Sequence, residues 1–225
     1  MGIEEAKKAA GRKAAELIQD GLVVGLGSGS TAAYFIEALI ERCKQGLKIE
    51  AVASSNASAS QAKKGGLRLV DINSTLHIDL TVDGADEIDP QKRMIKGGGG
   101  AHVREKILAA ASRELIVIVD ETKLVASLGA CKLPVEILFY GSPSTRKKLE
   151  QAGYRGKWRV TKDSQFFITD NGNLILDIQF DSPPLFPEMD HEKIIQIPGV
   201  VDTGFFFQMA GRVIVGFPNG TTEIR

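Results

Sequence analysis

The 225-residue chain has little with which to cross-link itself or hold a metal. Its two cysteines, Cys43 and Cys131, form no CxxC, and its three histidines, His77, His102 and His191, share no ligand spacing. A disulfide framework, a zinc knuckle and a Ser-His-Asp arrangement are therefore not on offer, and so few cysteines suit a reduced, cytoplasmic setting. An excess of one charge is missing too. The 28 Lys+Arg balance the 28 Asp+Glu, so no global field exists to gather nucleic acid or anionic lipid. No apolar run approaches the ~20 residues that cross a bilayer; the longest, Leu115 to Val119, is strand-sized. The N-terminal MGIEEAKKAAG lacks the apolar stretch of a signal peptide. The expectation is a soluble, cytoplasmic protein with neither a nucleic-acid nor a membrane partner.

Aromatics and prolines are scarce in one half only. Tyr34 and Phe35 are the only aromatics before residue 139, and Pro90 alone precedes Pro134. This change of texture puts a domain junction near 128–134, with one domain over 1–130 and a second over 131–207. In the first part, helical spacing (Ile3, Ala6, Ala10, Ala14, Leu17) alternates with short apolar runs at 22–26, 49–53, 67–70, 78–82 and 115–119. Continuous apolar strands joined by helices imply a parallel sheet covered on both faces, in a Rossmann-like doubly wound α/β domain. The second part reads strand 134–139, helix 144–152, strand 157–160, strand 174–180, helix 188–195 and strand 200–207, the βαββαβ order of a ferredoxin-like α+β domain. The Asn-Gly turn in Asp170-Asn171-Gly172-Asn173 suggests a hairpin pairing its two flanking runs. A last strand near 213–217, within 208–225, is expected to return to the first domain.

Glycine is what the sequence has in excess: 24 residues, against a usual ~7 % of a chain. Four segments concentrate chemistry. Gly25-Leu-Gly-Ser-Gly-Ser-Thr-Ala32 follows a strand and opens a helix, so bare N–H groups, the hydroxyls of Ser28, Ser30 and Thr31 and the positive end of a helix dipole form an anion cradle. It resembles a dinucleotide fingerprint, but Ala53-Ser54-Ser55-Asn56 stands where the ribose-binding acid belongs, and no lysine follows as in a Walker loop. Val82-Asp-Gly-Ala-Asp-Glu87 ends a strand and, with Asp89, crowds four acids into seven residues; it reads as a ligand-contacting turn, a solvated turn or, more weakly, a hard-metal site. Lys96 followed by Gly97 to Gly100 offers a lysine and peptide N–H groups to a developing negative charge, the alternative being a flexible linker. Arg104-Glu105-Lys106 places a carboxylate in the first turn of the next helix, either as a general base or as an ordinary helix-start acid. Asp120-Glu-Thr-Lys123 ends another strand and adds a cation.

Taken together, GLGSGSTA, VDGADEID, KGGGGAHVREK and DETK resemble, in this order, the signature segments of the ribose-5-phosphate isomerase type A family. The resemblance continues through LPVEI, TDNGNLILD and IPGVV, nearly the whole chain. It implies a metal-free, cofactor-free isomerase of the non-oxidative pentose phosphate pathway, acting on a small sugar phosphate as a homodimer or homotetramer. By matching segment, Glu105 is then the proton acceptor, and Lys96 with the Gly97, Gly98 and Gly99 amides holds the reacting oxygens. Asp83, Gly84, Ala85 and Asp86 contact the sugar, the two acids helping to open its ring. Ser28, Gly29, Ser30 and Thr31 bind the phosphate, with Lys123 and Lys7 adding positive charge. The chain departs from the family pattern at Ala101-His102-Val103, where members often carry Ala-Leu-Thr, yet keeps the Lys96-to-Glu105 spacing of nine.

Overall fold

The computed structural model describes residues 2–75 and 77–225. In chain order it runs α1 (Gly2–Glu16), β1 (Val23–Leu26), α2 (Ser30–Lys44), β2 (Glu50–Ala53), α3 (Asn56–Lys64), β3 (Leu80–Asp83), β4 (Glu87–Ile88), β5 (Met94–Ile95), α4 (His102–Ala111) and β6 (Leu115–Asp120). There follow β7 (Leu133–Ile137), α5 (Ser142–Gln151), β8 (Gly156–Trp158), β9 (Leu174–Ile178), α6 (Pro187–Ile195), β10 (Val200–Thr203), β11 (Phe205–Phe206), β12 (Ala210–Gly216) and β13 (Thr222–Ile224). The chain forms two compact units, one of Met1–Ala85, Arg104–Leu124 and Gln208–Arg225, the other of Asp86–Val103 and Val125–Phe207.

The first unit is a six-stranded sheet in the order β13-β12-β6-β3-β1-β2, parallel except for β13 at its edge. It is a Rossmann-like doubly wound fold. Consecutive residues of β2 feed opposite faces, as strand geometry requires: Ala51 joins the cluster of Phe35, Leu39, Leu26 and Ile118, while Val52 packs with Ile78 and Leu108 of α4. β6, with every residue buried, is apolar up to Asp120 because helices cover both faces. The run at 67–70 is not a strand; only Leu69 bridges to Ala51. β1 lies between β2 and β3, so the chain leaves it in one direction and returns on the other side. That makes the carboxyl ends of β1 and β3 the switch point at which open α/β sheets bind ligands.

The second unit carries the antiparallel sheet β10-β7-β9-β8, the strand order of a split βαββαβ fold, over a core of Leu133, Val135, Leu149, Leu176 and Ile194. A three-stranded sheet, β11-β5-β4, adjoins it. The run expected as one strand over 200–207 is two. Gly204 donates to Pro134 O at 2.7 Å and accepts from Lys96 N at 2.9 Å, handing the chain from one sheet to the other. This pairing of β5 with β11 is also why residues 86–103 belong to this unit rather than to the span 1–130. The Asn-Gly turn closes through Thr169 N to Asn173 O, but the run before it does not pair with β9, whose two edges are taken by β7 and β8.

Candidate active site

In the first unit the switch point is built by one carboxylate. Asp83, ending β3 and 1 % exposed, accepts from Ser28 N at 3.0 Å and from Gly84 N at 2.7 Å, tying the turn after β1 to the turn after β3. Gly29 takes φ +94°, and α2 starts at Ser30 without a side-chain cap, so its first N–H groups remain to be satisfied by water or an anion. Gly29 and Ser30 are exposed, and Lys7 Nζ reaches Ser30 Oγ at 3.0 Å, adding a positive charge at this end. Thr31, Ala85 and Lys123 are half-buried; Lys123 ends the turn that Asp120 caps through Thr122 N at 3.1 Å. Glu105 lies in the first turn of α4 and is 4 % exposed.

The hydroxyl of Ser28 is engaged within the protein. It meets Ser54 Oγ and Ser55 Oγ, each at 2.8 Å, while Ser58 Oγ donates to Gly27 O at 2.6 Å. This serine cluster underpins the cradle from below. Ser54 and Ser55 stand in the segment where a ribose-binding acid is missing, and Ser58 follows in the first turn of α3, which Ser55 caps by accepting from Ser58 N.

The second unit builds the glycine turn. Lys96 is 3 % exposed, its Nζ 5.3 Å from the Phe206 ring centroid, a favourable seat for a buried cation. Gly97 has φ +103°, and a Cβ there would lie 2.8 Å from Nδ1 of the fully buried His102, so the His102 ring packs against this glycine. Gly98 N donates to Asp86 Oδ2 at 2.7 Å, and Gly100 N closes the turn onto Gly97 O at 2.9 Å. Gly98 and Gly99 stand exposed while Lys96 and Gly97 are buried. Arg159, which sequence reasoning missed, donates to Gly97 O at 2.8 Å and Gly98 O at 3.1 Å.

The acid cluster sorts by partner. Glu87 accepts from Gly129 N at 2.7 Å and from Cys131 N, and Asp89 binds Arg93 Nε at 2.6 Å, so both hold loops of the second unit. Asp83 and Asp86 instead end on the glycine-bearing turns of their own units.

Residues 50–220 match the family profile of ribose 5-phosphate isomerase A (phosphoriboisomerase A). Curated relatives include ribose-5-phosphate isomerase A of Protochlamydia amoebophila, 53 % identical over 98 % of this chain and 95 % of that protein, and that of Bacillus mycoides, 45 % identical over 96 % and 98 %. Among solved structures, the ribose 5-phosphate isomerase of Plasmodium falciparum superposes with a TM-score of 0.95 at 35 % identity, covering 99 % of this chain and 98 % of that one. A D-ribose-5-phosphate isomerase in complex with phospho-erythronic acid gives 0.94 at 35 % identity, covering 100 % and 99 %. Fold and relatives together define an enzyme of the isomerase class. The chain belongs to the ribose 5-phosphate isomerase A family. Among the described residues no helix is long and apolar enough to cross a membrane.

Proposed function

We propose that this enzyme interconverts D-ribose 5-phosphate and D-ribulose 5-phosphate through an enediolate, with Glu105 as the general base. The observation that carries the reading is the stretch 96–105, where a buried ammonium, two solvent-open glycine peptides and a buried carboxylate occupy ten consecutive residues. Glu105 takes the proton from C2 of the open-chain aldose, and the C–H electrons form the C1–C2 double bond as O1 becomes an oxyanion. Lys96 and the glycine amides stabilise that oxyanion. The proton of the C2 hydroxyl then passes to O1, Glu105 returns its proton to C1, and the ketose results. Gly98 N is already donated to Asp86, so Gly97 and Gly99 are the better-placed amides.

Asp83 and Asp86, with Gly84 and Ala85, contact the sugar, and the acids assist ring opening. The phosphate lies at Ser28 to Thr31 with Lys7 and Lys123, its binding energy directed to orienting the open chain. Neither metal nor organic cofactor is needed, and the setting we assign is a cytoplasmic homodimer or homotetramer. The test is turnover of D-ribose 5-phosphate in EDTA, with Glu105→Gln folding normally but losing about 10³-fold in kcat. Near-wild-type turnover of that variant removes Glu105 from the role.

A further inference from the structure

Arg159 lies half-buried against the glycine turn but carries none of the chemistry assigned above. Its guanidinium is fixed by Asp177, Nε reaching Oδ2 at 3.0 Å and Nη2 reaching Oδ1, with the two side chains 15 % and 11 % exposed. Its Cζ also lies over the Phe167 ring, 5.8 Å from the centroid. The remaining nitrogen, Nη1, donates to two successive carbonyls, Gly97 O and Gly98 O. In a trans peptide the C=O and the following N–H point in opposite directions. One nitrogen holding both carbonyls therefore turns the N–H groups of Gly98 and Gly99 the same way, away from the guanidinium. The first of them ends on Asp86. The second belongs to a residue exposed to solvent. A cation on a peptide oxygen also polarises the amide, making its N–H a stronger donor.

We infer that Arg159 is the positioning residue of the oxyanion site: held by Asp177, it aims and polarises the Gly99 amide toward the oxygen that becomes negative. The inference rests on the reading that the Lys96–glycine segment meets that oxygen. A donor that acts only on the developing charge changes kcat and leaves ground-state binding alone. Arg159→Ala and Arg159→Lys are therefore expected to lose about 10²-fold in kcat, the effect of losing one oxyanion donor. KM should stay within about threefold. Lysine fails because it cannot span the carboxylate and two carbonyls at once. Inhibition by phospho-erythronic acid, whose carboxylate stands for the charged end of the enediolate, should weaken in parallel with kcat, and added guanidinium ion below denaturing concentration should restore part of kcat in Arg159→Ala.

A purely structural role would lower the folded fraction without changing the ratio of inhibitor affinity to KM. That outcome, or wild-type kcat in a folded variant, overturns the inference. If Arg159→Ala does not fold, Asp177→Asn keeps the guanidinium and loosens it, and is judged by the same split between kcat, KM and inhibitor. A wild-type chain inactive on D-ribose 5-phosphate removes the underlying reading along with this one; an active wild type with unimpaired Arg159 variants removes only this one.

Discussion

Gly27→Ala should be among the most damaging single-methyl changes in this protein, and the reason is a side chain rather than a backbone angle. A Cβ at Gly27 would lie 2.1 Å from Asp83 Oδ1, 2.2 Å from Cγ and 2.5 Å from Cβ. Rotating the carboxylate away does not help, because Cβ itself is in contact. Either β1 and β3 part locally, an overpacking strain of roughly 1–3 kcal/mol, or Asp83 is driven off Ser28 N and Gly84 N. Each of those bonds to a charged acceptor contributes about 1.5–3 kcal/mol. If both occur, the cost is roughly 4–9 kcal/mol, a large part of the ~5–15 kcal/mol that holds a domain folded.

Two control glycines isolate the cause. Gly29→Ala meets nothing within 4 Å but sits at φ +94° and ψ −179°, a glycine-only region costing about 1–3 kcal/mol. Gly99→Ala meets neither problem and should change stability by less than about 1 kcal/mol. The assay is urea unfolding followed by far-UV circular dichroism, to which every helix contributes, most helical residues belonging to the first unit, alongside fluorescence of Trp158 in the second. At an m-value of about 3 kcal/mol/M, Gly27→Ala should lower the circular-dichroism midpoint by about 2 M. In an Asp83→Gly background the same change should cost little, because the three nearest atoms all belong to the Asp83 side chain. A Gly27→Ala protein no less stable than Gly29→Ala would refute the reasoning.

In the second unit, Glu136 is fully buried and its Oε1 accepts from Thr169 Oγ1 at 3.2 Å, Asn171 Nδ2 at 2.9 Å and Asn173 Nδ2 at 2.8 Å. Glu136→Ala should lose about 3–5 kcal/mol by Trp158 fluorescence, and Glu136→Gln, which keeps the acceptor oxygen, less than half of that; equal losses would contradict the assignment. Lys7→Met removes the cation beside Ser30, so KM for the phosphorylated sugar should rise about tenfold, with kcat and stability nearly unchanged. An unaltered KM would take Lys7 out of phosphate binding.

The parallel core was legible because β6 is apolar at five consecutive positions and α1 repeats alanine at helical spacing. The split βαββαβ unit was legible from its element order. β4 and β5 were not: two residues have no periodicity to read, and β5 is fixed by Phe205 and Phe206, about 110 positions downstream. For the same reason residues 86–103 could not be assigned to their unit. The acid cluster was visible as a cluster, but what separates Glu87 from Asp86 is which backbone amide each one meets, Gly129 and Cys131 for the first and Gly98 for the second. No local pattern encodes such a partner. Arg159 and Asp177 were silent in the same way, since a basic residue beside a short strand is ordinarily a solvated one.

The four glycines show what that hidden support accomplishes. Ordering them costs roughly 0.5–1 kcal/mol each beyond an ordinary residue, or about 2–4 kcal/mol. A flexible linker would leave this cost to the ligand at the moment of binding. Here two bonds from Arg159 and one from Gly98 to Asp86 involve charged groups, each contributing about 1.5–3 kcal/mol, and Gly100 N to Gly97 O adds a neutral one. The sum exceeds the cost, so the turn is held in shape by the protein itself. Preorganised donors stabilise a developing charge because they need not reorient when it forms. On the proposed mechanism, this turn and the neutral net charge have one explanation: the anion is to be met by peptide groups fixed in advance, so a broadly basic surface has no task to perform.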